Sequence, residues 1–96
     1  MSRFKVTIDT SFYEISYREI TVDAKSAGAA KYKVATNVMG FNSKDFGYFL
    51  SWYKPQVEKV DDHAPLIDEV YIQNPDSGEF ERVRLEFLDN MEVNND

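Results

Sequence analysis

Ile20-Thr21-Val22-Asp23-Ala24-Lys25-Ser26-Ala27-Gly28-Ala29-Ala30 is where the hydrophobic period changes. Up to Ala24 the apolar residues alternate with polar ones, the period of a half-buried strand. From Ser26 onward they recur every three or four residues: Ala27, Ala30, Val34 and Val38 fall on one helical face. Ser26 has the side chain of a good N-cap, and Gly40 stands where a left-handed residue closes a helix. The spacing therefore predicts a strand running into a helix over about Ala27–Met39. Gly28 lowers helix propensity by roughly 1 kcal/mol, so its presence suggests a close approach of helix to sheet.

Upstream, Phe4, Val6 and Ile8 alternate with Lys5, Thr7 and Asp9, a second period-two segment. Asp9-Thr10-Ser11 favours a turn. Tyr13, Ile15 and Tyr17 alternate again, but Tyr17 to Ile20 is an odd step. A bulge at Arg18–Glu19, or a break into two strands, would re-phase it. These elements read as an antiparallel hairpin.

Downstream, Asn42 resembles a second N-cap, with Asp45 in the first turn and Phe41 and Phe46 at the spacing of a hydrophobic staple. Phe46, Phe49, Leu50 and Tyr53 form an apolar stripe, and Pro55 ends the helix near Tyr53. Tyr48 and Trp52 lie off that stripe. Gln56–Val60 reads as a short edge strand. Val70 and Ile72 alternate with Glu69, Tyr71 and Gln73. Asn74-Pro75-Asp76-Ser77-Gly78 is a strong turn, and Val83, Leu85 and Phe87 alternate on the return, with Phe80 out of phase. The order β-β-α-α-(β)-β-β predicts an α+β fold: an antiparallel sheet built from an N-terminal and a C-terminal hairpin, with two helices on one face. Residues 1–91 form one domain on this reading, with 92–96 a frayed tail. The expected core is Phe4, Val6, Ile8, Val34, Val38, Phe46, Phe49, Leu50, Val70, Ile72, Val83, Leu85 and Phe87.

The chain has 96 residues, fourteen of them aromatic, and no cysteine. Disulfide frameworks, thiolate zinc sites and cysteine nucleophiles are excluded. The longest uncharged stretch, Val34 to Ser43, is far shorter than the ~20 residues of a membrane span. A soluble, cytoplasmic protein with no membrane partner is the expectation. The net charge of −6 is unevenly placed. Residues 1–60 carry nine basic and six acidic residues, a balance of +3, whereas residues 61–96 carry two and eleven, a balance of −9.

Motifs for catalysis are missing. His63 is the one histidine, leaving a single possible base for nucleophilic chemistry. Asp61, Asp62 and His63 offer oxygen and nitrogen ligands, but consecutive residues need a third element to close on a metal. No Gly-rich phosphate loop, Walker A or H-E-x-x-H pattern is present. Lys25, Lys31 and Lys33 make no basic stripe, since Lys31 and Lys33 point roughly 160° apart on a helix. That argues against nucleic acid as partner. The expectation is a non-enzymatic protein with no cofactor and no metal.

Two surfaces remain as candidates for binding protein. One is acidic: Asp61, Asp62, Asp68, Glu69, Asp76, Glu79 and Glu81 fall in or beside turns, where carboxylates facing outward together attract a basic partner surface. Arg82 and Arg84 interrupt it, which argues against mimicry of a regular phosphate backbone. The other is aromatic: Tyr48 and Trp52, four apart, have the chemistry of an interface anchor. The bland alternatives are an acidic surface serving solubility and an aromatic pair closing the core.

The stretch from Tyr17 through Val22-Asp23-Ala24 to Ser26-Ala27-Gly28-Ala29-Ala30-Lys31-Tyr32 resembles a pattern in small bacteriophage and prophage proteins of unknown function. There a strand ending in V-x-A meets a Ser-capped helix opening S-x-G-A-A-x-Y. The resemblance runs on loosely through Asp45-Phe46 to the aromatic second helix, about a third of the chain. It implies an accessory protein of a phage or mobile element, acting by stoichiometric binding, in the manner of anti-defence and anti-CRISPR inhibitors. It carries no catalytic residues. The alternative it leaves is a nucleic-acid-associated or self-assembling structural phage protein.

Overall fold

A computed structural model describes residues 1–10 and 15–83. Strand β1 (Ser2–Asp9) pairs antiparallel with β2 (Ser16–Ala24). Helix α1 (Ala27–Lys33) continues through a π-helical turn, Val34–Val38. A 3-10 turn at Ser43–Asp45 leads into α2 (Phe46–Tyr53). Strands β3 (Gln56–Val60), β4 (Asp68–Gln73) and β5 (Phe80–Val83) complete an antiparallel sheet of order β3-β1-β2-β4-β5. The fold is α+β, with α1 packed over β1, β2 and β3 and α2 against β1.

The local signals work as expected at several points. The Ser26 hydroxyl oxygen accepts from the Ala29 N–H at 3.1 Å, capping α1. Gly40 adopts φ +76°, the left-handed conformation that ends the helical run. Lys54, also left-handed, and a buried Pro55 end α2 and turn the chain into β3. Among the described residues that strand borders β1 alone and so forms one edge of the sheet. The Asn74 side chain accepts from the Asp76 and Ser77 N–H groups, which builds the tight turn between β4 and β5.

The core lies between helices and sheet. Phe4, Val6, Ile8, Ile20, Val22 and Ala24 from the strands meet Ala30, Val34, Ala35 and Phe49 from the helical layer. Phe49 is fully buried and packs on Phe41, Phe46 and Tyr53, with ring centroids 5.7, 6.1 and 5.6 Å away.

Four expectations need correction. First, there is no bulge at Arg18–Glu19: the β1–β2 register runs unbroken from Ser2↔Ala24 to Asp9↔Tyr17. The apolar pattern shifts because Tyr17 belongs to the other face of the sheet, while Arg18 takes the helix-side position beside Ile8. Second, Leu50 is 37% exposed and lies at the rim. An eight-residue helix buries the line Phe46, Phe49, Tyr53, and Leu50 projects about 100° from Phe49. Third, Asn42 makes no capping bond, and Phe41 sends its ring to Phe49 and Tyr53 rather than stapling Phe46. Fourth, Gly28 is exposed, and a β-carbon there would meet nothing nearer than the Ser26 hydroxyl at 4.0 Å. The close approach is made by Ala30 and Ala35, both fully buried. Ile72 and Val83 are half-buried; Leu85, Phe87, Arg84, Tyr13 and the tail at 92–96 lie outside the described residues.

Candidate functional site

The acidic residues that the sequence groups together are dispersed by strand geometry. Asp68 and Glu69 are neighbours in β4, so their side chains leave opposite faces of the sheet. On the helix side, Asp68 takes both ends of the Arg18 guanidinium at 2.6 Å, and Arg18 also reaches the Met39 sulfur at 3.7 Å. This bidentate pair closes the sheet beyond the helical layer. On the open side, Glu69 accepts from the Tyr71 hydroxyl at 2.6 Å and from Arg82 at 3.1 Å. Neither carboxylate is a lone charge awaiting a partner.

The other acidic residues are exposed but separate. Asp61 accepts from the His63 N–H and shapes the loop before β4, with Asp62 beside it. Asp76 and Glu79 stand at the β4–β5 turn. Glu81 lies in β5 opposite Ile72 and accepts from the Asn74 side chain at 3.3 Å. Two small acidic patches thus replace the continuous surface suggested by the sequence. Among the described residues, no three His, Cys, Asp or Glu side chains converge as metal ligands. A shallow groove of about 300 Å³ at the hairpin is lined by Ile72, Gln73, Asn74, Pro75, Glu81, Arg82 and Val83. It contains neither His63 nor a nucleophile paired with a base.

Tyr48 and Trp52 do come together. They project from the outward side of α2, 62% and 67% exposed, with ring centroids 6.3 Å apart in an edge-to-face arrangement. They do not close the core, which Phe46, Phe49 and Tyr53 already fill from the neighbouring face of the same helix. Among the described residues no helix is long and apolar enough to cross a membrane.

A second aromatic surface escaped the sequence reading. On the face of the sheet away from the helices, Tyr17 stacks on Tyr71 (5.0 Å, 17° between planes), and Phe80 tilts onto Tyr17 at 5.0 Å. Register explains the meeting: Tyr17 opposes Tyr71, and Phe80 opposes Gln73, one pleat further along that face. The available signals were the odd Tyr17–Ile20 step and the phase of Phe80. The first was read as a bulge or a break into two strands and the second only as out of phase, whereas both mark residues facing the open side.

The open face is laced with charge pairs. Arg3 grips Asp23 through two nitrogens at 2.8 and 3.0 Å and also donates to the Ala64 carbonyl, tying down the loop before β4. Arg3 holds the Asp23 carboxyl below its ordinary range. The Tyr71 hydroxyl, and then Arg82, do the same for Glu69. The reciprocal effect, with burial added, pushes Tyr71 from 10.0 up to about 12.

The signs follow directly. Glu69 supports the fold above its unfolded value of 4.5, and that support is lost as pH falls through its lower native value. Tyr71 works at the other end of the scale. Between about 10 and 12 the unfolded chain gives up a proton that the native state retains, so stability falls as pH rises. Replacing Glu69 with Gln is expected to bring the Tyr71 titration down toward 10.0 and flatten the loss of stability between about 10 and 12, because folded and unfolded chains then release the proton together. Tyrosinate absorbance followed against pH in both proteins checks this; superimposable curves would refute it.

No protein-family model, curated protein or solved structure matches this chain.

Proposed function

We propose that this is a non-enzymatic accessory protein of a bacteriophage or mobile element, acting in the bacterial cytoplasm by stoichiometric binding to a host protein. A host defence or replication protein with a basic surface is the partner class, which makes the chain an anti-defence inhibitor of the anti-CRISPR kind. The observation that carries the reading is the Tyr48–Trp52 pair. Two rigid aromatic side chains held together on the outside of a helix have the makings of a binding hot spot. The exposed acidic residues at Asp61–Asp62 and at Asp76, Glu79 and Glu81 would add steering toward a positive surface, which acts on association rate more than on affinity.

The test is capture of a defined partner from a bacterial host lysate by immobilised protein, followed by affinity measurement with that partner. Trp52→Ala is expected to weaken binding by about 2 kcal/mol, roughly thirtyfold, with the melting temperature unchanged. Changing Asp76, Glu79 and Glu81 together to Lys is expected to slow association and reduce its salt dependence. A partner whose affinity ignores both variants would sink the assignment of these surfaces. Affinity for nucleic acid alone, falling steeply with salt, would sink the protein-binding reading itself.

A further inference from the structure

We propose that the outward face of α2 takes an acidic peptide segment of the protein partner, extended along the helix. An apolar side chain of that segment seats on the Tyr48–Trp52 pair, and carboxylates on either side of it meet Lys44 and Lys54. This rests on the protein-binding reading above and names the chemistry recognised at that same surface. The acidic residues at Asp61–Asp62 and on the β4–β5 hairpin belong to other elements and meet other parts of the partner.

Helix α2 has no charged residue from Phe46 to Tyr53. Its outward arc carries Gly47, Tyr48, Ser51 and Trp52, all exposed, and a β-carbon at Gly47 would meet nothing within 4 Å. A ligand can therefore lie close along the helix. The edge-to-face contact of the two rings, 73° between planes, makes a corner rather than a flat platform. A lysine stands at each end. Lys44 lies in the 3-10 turn, four residues before Tyr48, and Lys54 follows Tyr53 directly. Both are exposed, and among the described residues neither ammonium makes a hydrogen bond or an ion pair. Lys54 carries the stronger signal. Among the described residues it is the one non-glycine with positive φ, at 45°. Glycine or asparagine takes that conformation at less cost, so a lysine is kept there against backbone preference and with no polar contact to account for it. The one carboxylate between Lys25 and Pro55 is Asp45, half-buried at the N-terminus of α2, where the positive helix end offsets its charge.

That geometry selects the occupant. Eight helical residues rise about 12 Å, so the two lysines bracket roughly four or five residues of extended chain. Carboxylates at the two ends of such a segment each meet a cation, and an apolar side chain between them enters the corner of the rings. A second copy of this chain, laid along α2 in either direction, brings lysine against lysine at both ends. Single-stranded nucleic acid brings negative charge, but bases stacked in series need parallel faces, and these rings stand nearly perpendicular. A proline-rich segment without charge leaves both lysines unused.

Trp52 is the only tryptophan of the chain, so its emission reports this surface alone. The intact protein is titrated with end-blocked Glu-Ser-Leu-Ser-Glu, with its Gln-Ser-Leu-Ser-Gln and Lys-Ser-Leu-Ser-Lys counterparts, and with an oligothymidylate. The acidic peptide is expected to change the emission saturably, with a Kd on the order of 1 mM, and to bind about tenfold more tightly than the neutral one. The lysine peptide should give no saturable change. Salt at about 1 M should erase the preference for the acidic peptide. So should Lys44→Gln combined with Lys54→Gly, in a protein that stays folded, because both positions are exposed and glycine accepts φ 45°. Equal binding of the three peptides, a preference that survives the double change, an equivalent response to the oligothymidylate, or emission that varies with protein concentration alone would each overturn the proposal. Should the double variant fail to fold, the peptide ranking and its salt dependence in the unmutated protein still decide. Trp52→Ala, read by partner capture, separates the two readings. If it abolishes capture while the three peptides bind the unmutated protein alike, only this inference falls; if capture ignores it while the acidic peptide is still preferred, the reading above falls and the peptide site stands.

Discussion

Replacing Phe49 by alanine is expected to cost about 3–5 kcal/mol, the range for removing a buried aromatic from a packed interior. Phe49 is the largest fully buried side chain among the described residues. Its ring meets three other aromatic rings, on Phe41, Phe46 and Tyr53, and each such contact adds to simple burial. The domain is small, and natural domains hold only about 5–15 kcal/mol in total. Alanine there should consume a large part of that margin and lower the melting temperature by about 12 °C or more. Leu50→Ala, one residue along, is the contrast. Its side chain sits at the rim, so the loss should stay below about 1 kcal/mol. Chemical denaturation of the two variants decides the point. Equal losses would mean that α2 packs through a broader stripe than the line Phe46, Phe49, Tyr53.

The contrast between Phe49 and Leu50 also marks how far sequence patterning reaches. A helical stripe names the side of a helix, not the width that its partner can cover. Period two was legible in β1, because Phe4, Val6 and Ile8 face one apolar layer and the alternating residues face water or charge. It misled in β2, where both faces carry apolar side chains at different heights: Ile20 and Val22 under the helices, Tyr17 on the open side. Capping and turn chemistry was legible at Ser26, Gly40, Pro55 and Asn74, since each acts within a few residues of chain. Strand order was not. Nothing local shows that β3 pairs with β1 or that β4 joins the sheet at β2.

The same division runs through the candidate site. Tyr48 and Trp52 share a helix face by spacing alone, and the structure places them together. The acidic group was proposed from proximity along the chain. Arg18 lies fifty positions before Asp68 and Arg82 thirteen after Glu69, and neither pairing can be read from a local window. The Tyr17–Tyr71–Phe80 surface is long-range in the same way. Only the pairing register assembles it.

Gly28 and Ala30 offer the sharpest test of how α1 sits on the sheet. The sequence suggests that Gly28 is there to let the helix come close. In the structure Gly28 faces solvent, and a β-carbon at that position meets only the Ser26 hydroxyl at 4.0 Å. Gly28→Ala is therefore expected to stabilise the protein, by about 0.5–1 kcal/mol, because alanine loses less backbone entropy on forming a helix. Ala30, two residues on, is fully buried and lies in the same core as Phe4, Val6 and Ile8. Ala30→Leu adds three carbons where there is no room. The helix must lift or its neighbours must leave their rotamers, at a cost of about 1–3 kcal/mol. Opposite shifts in melting temperature are thus expected from two small-residue changes within one turn of helix. The reverse pattern, a loss at Gly28 and tolerance at Ala30, would mean that the helix is rotated on the sheet. The outward positions of α1 would then have to be reassigned, and Val34 and Ala35 in the π-helical turn would no longer point into the core.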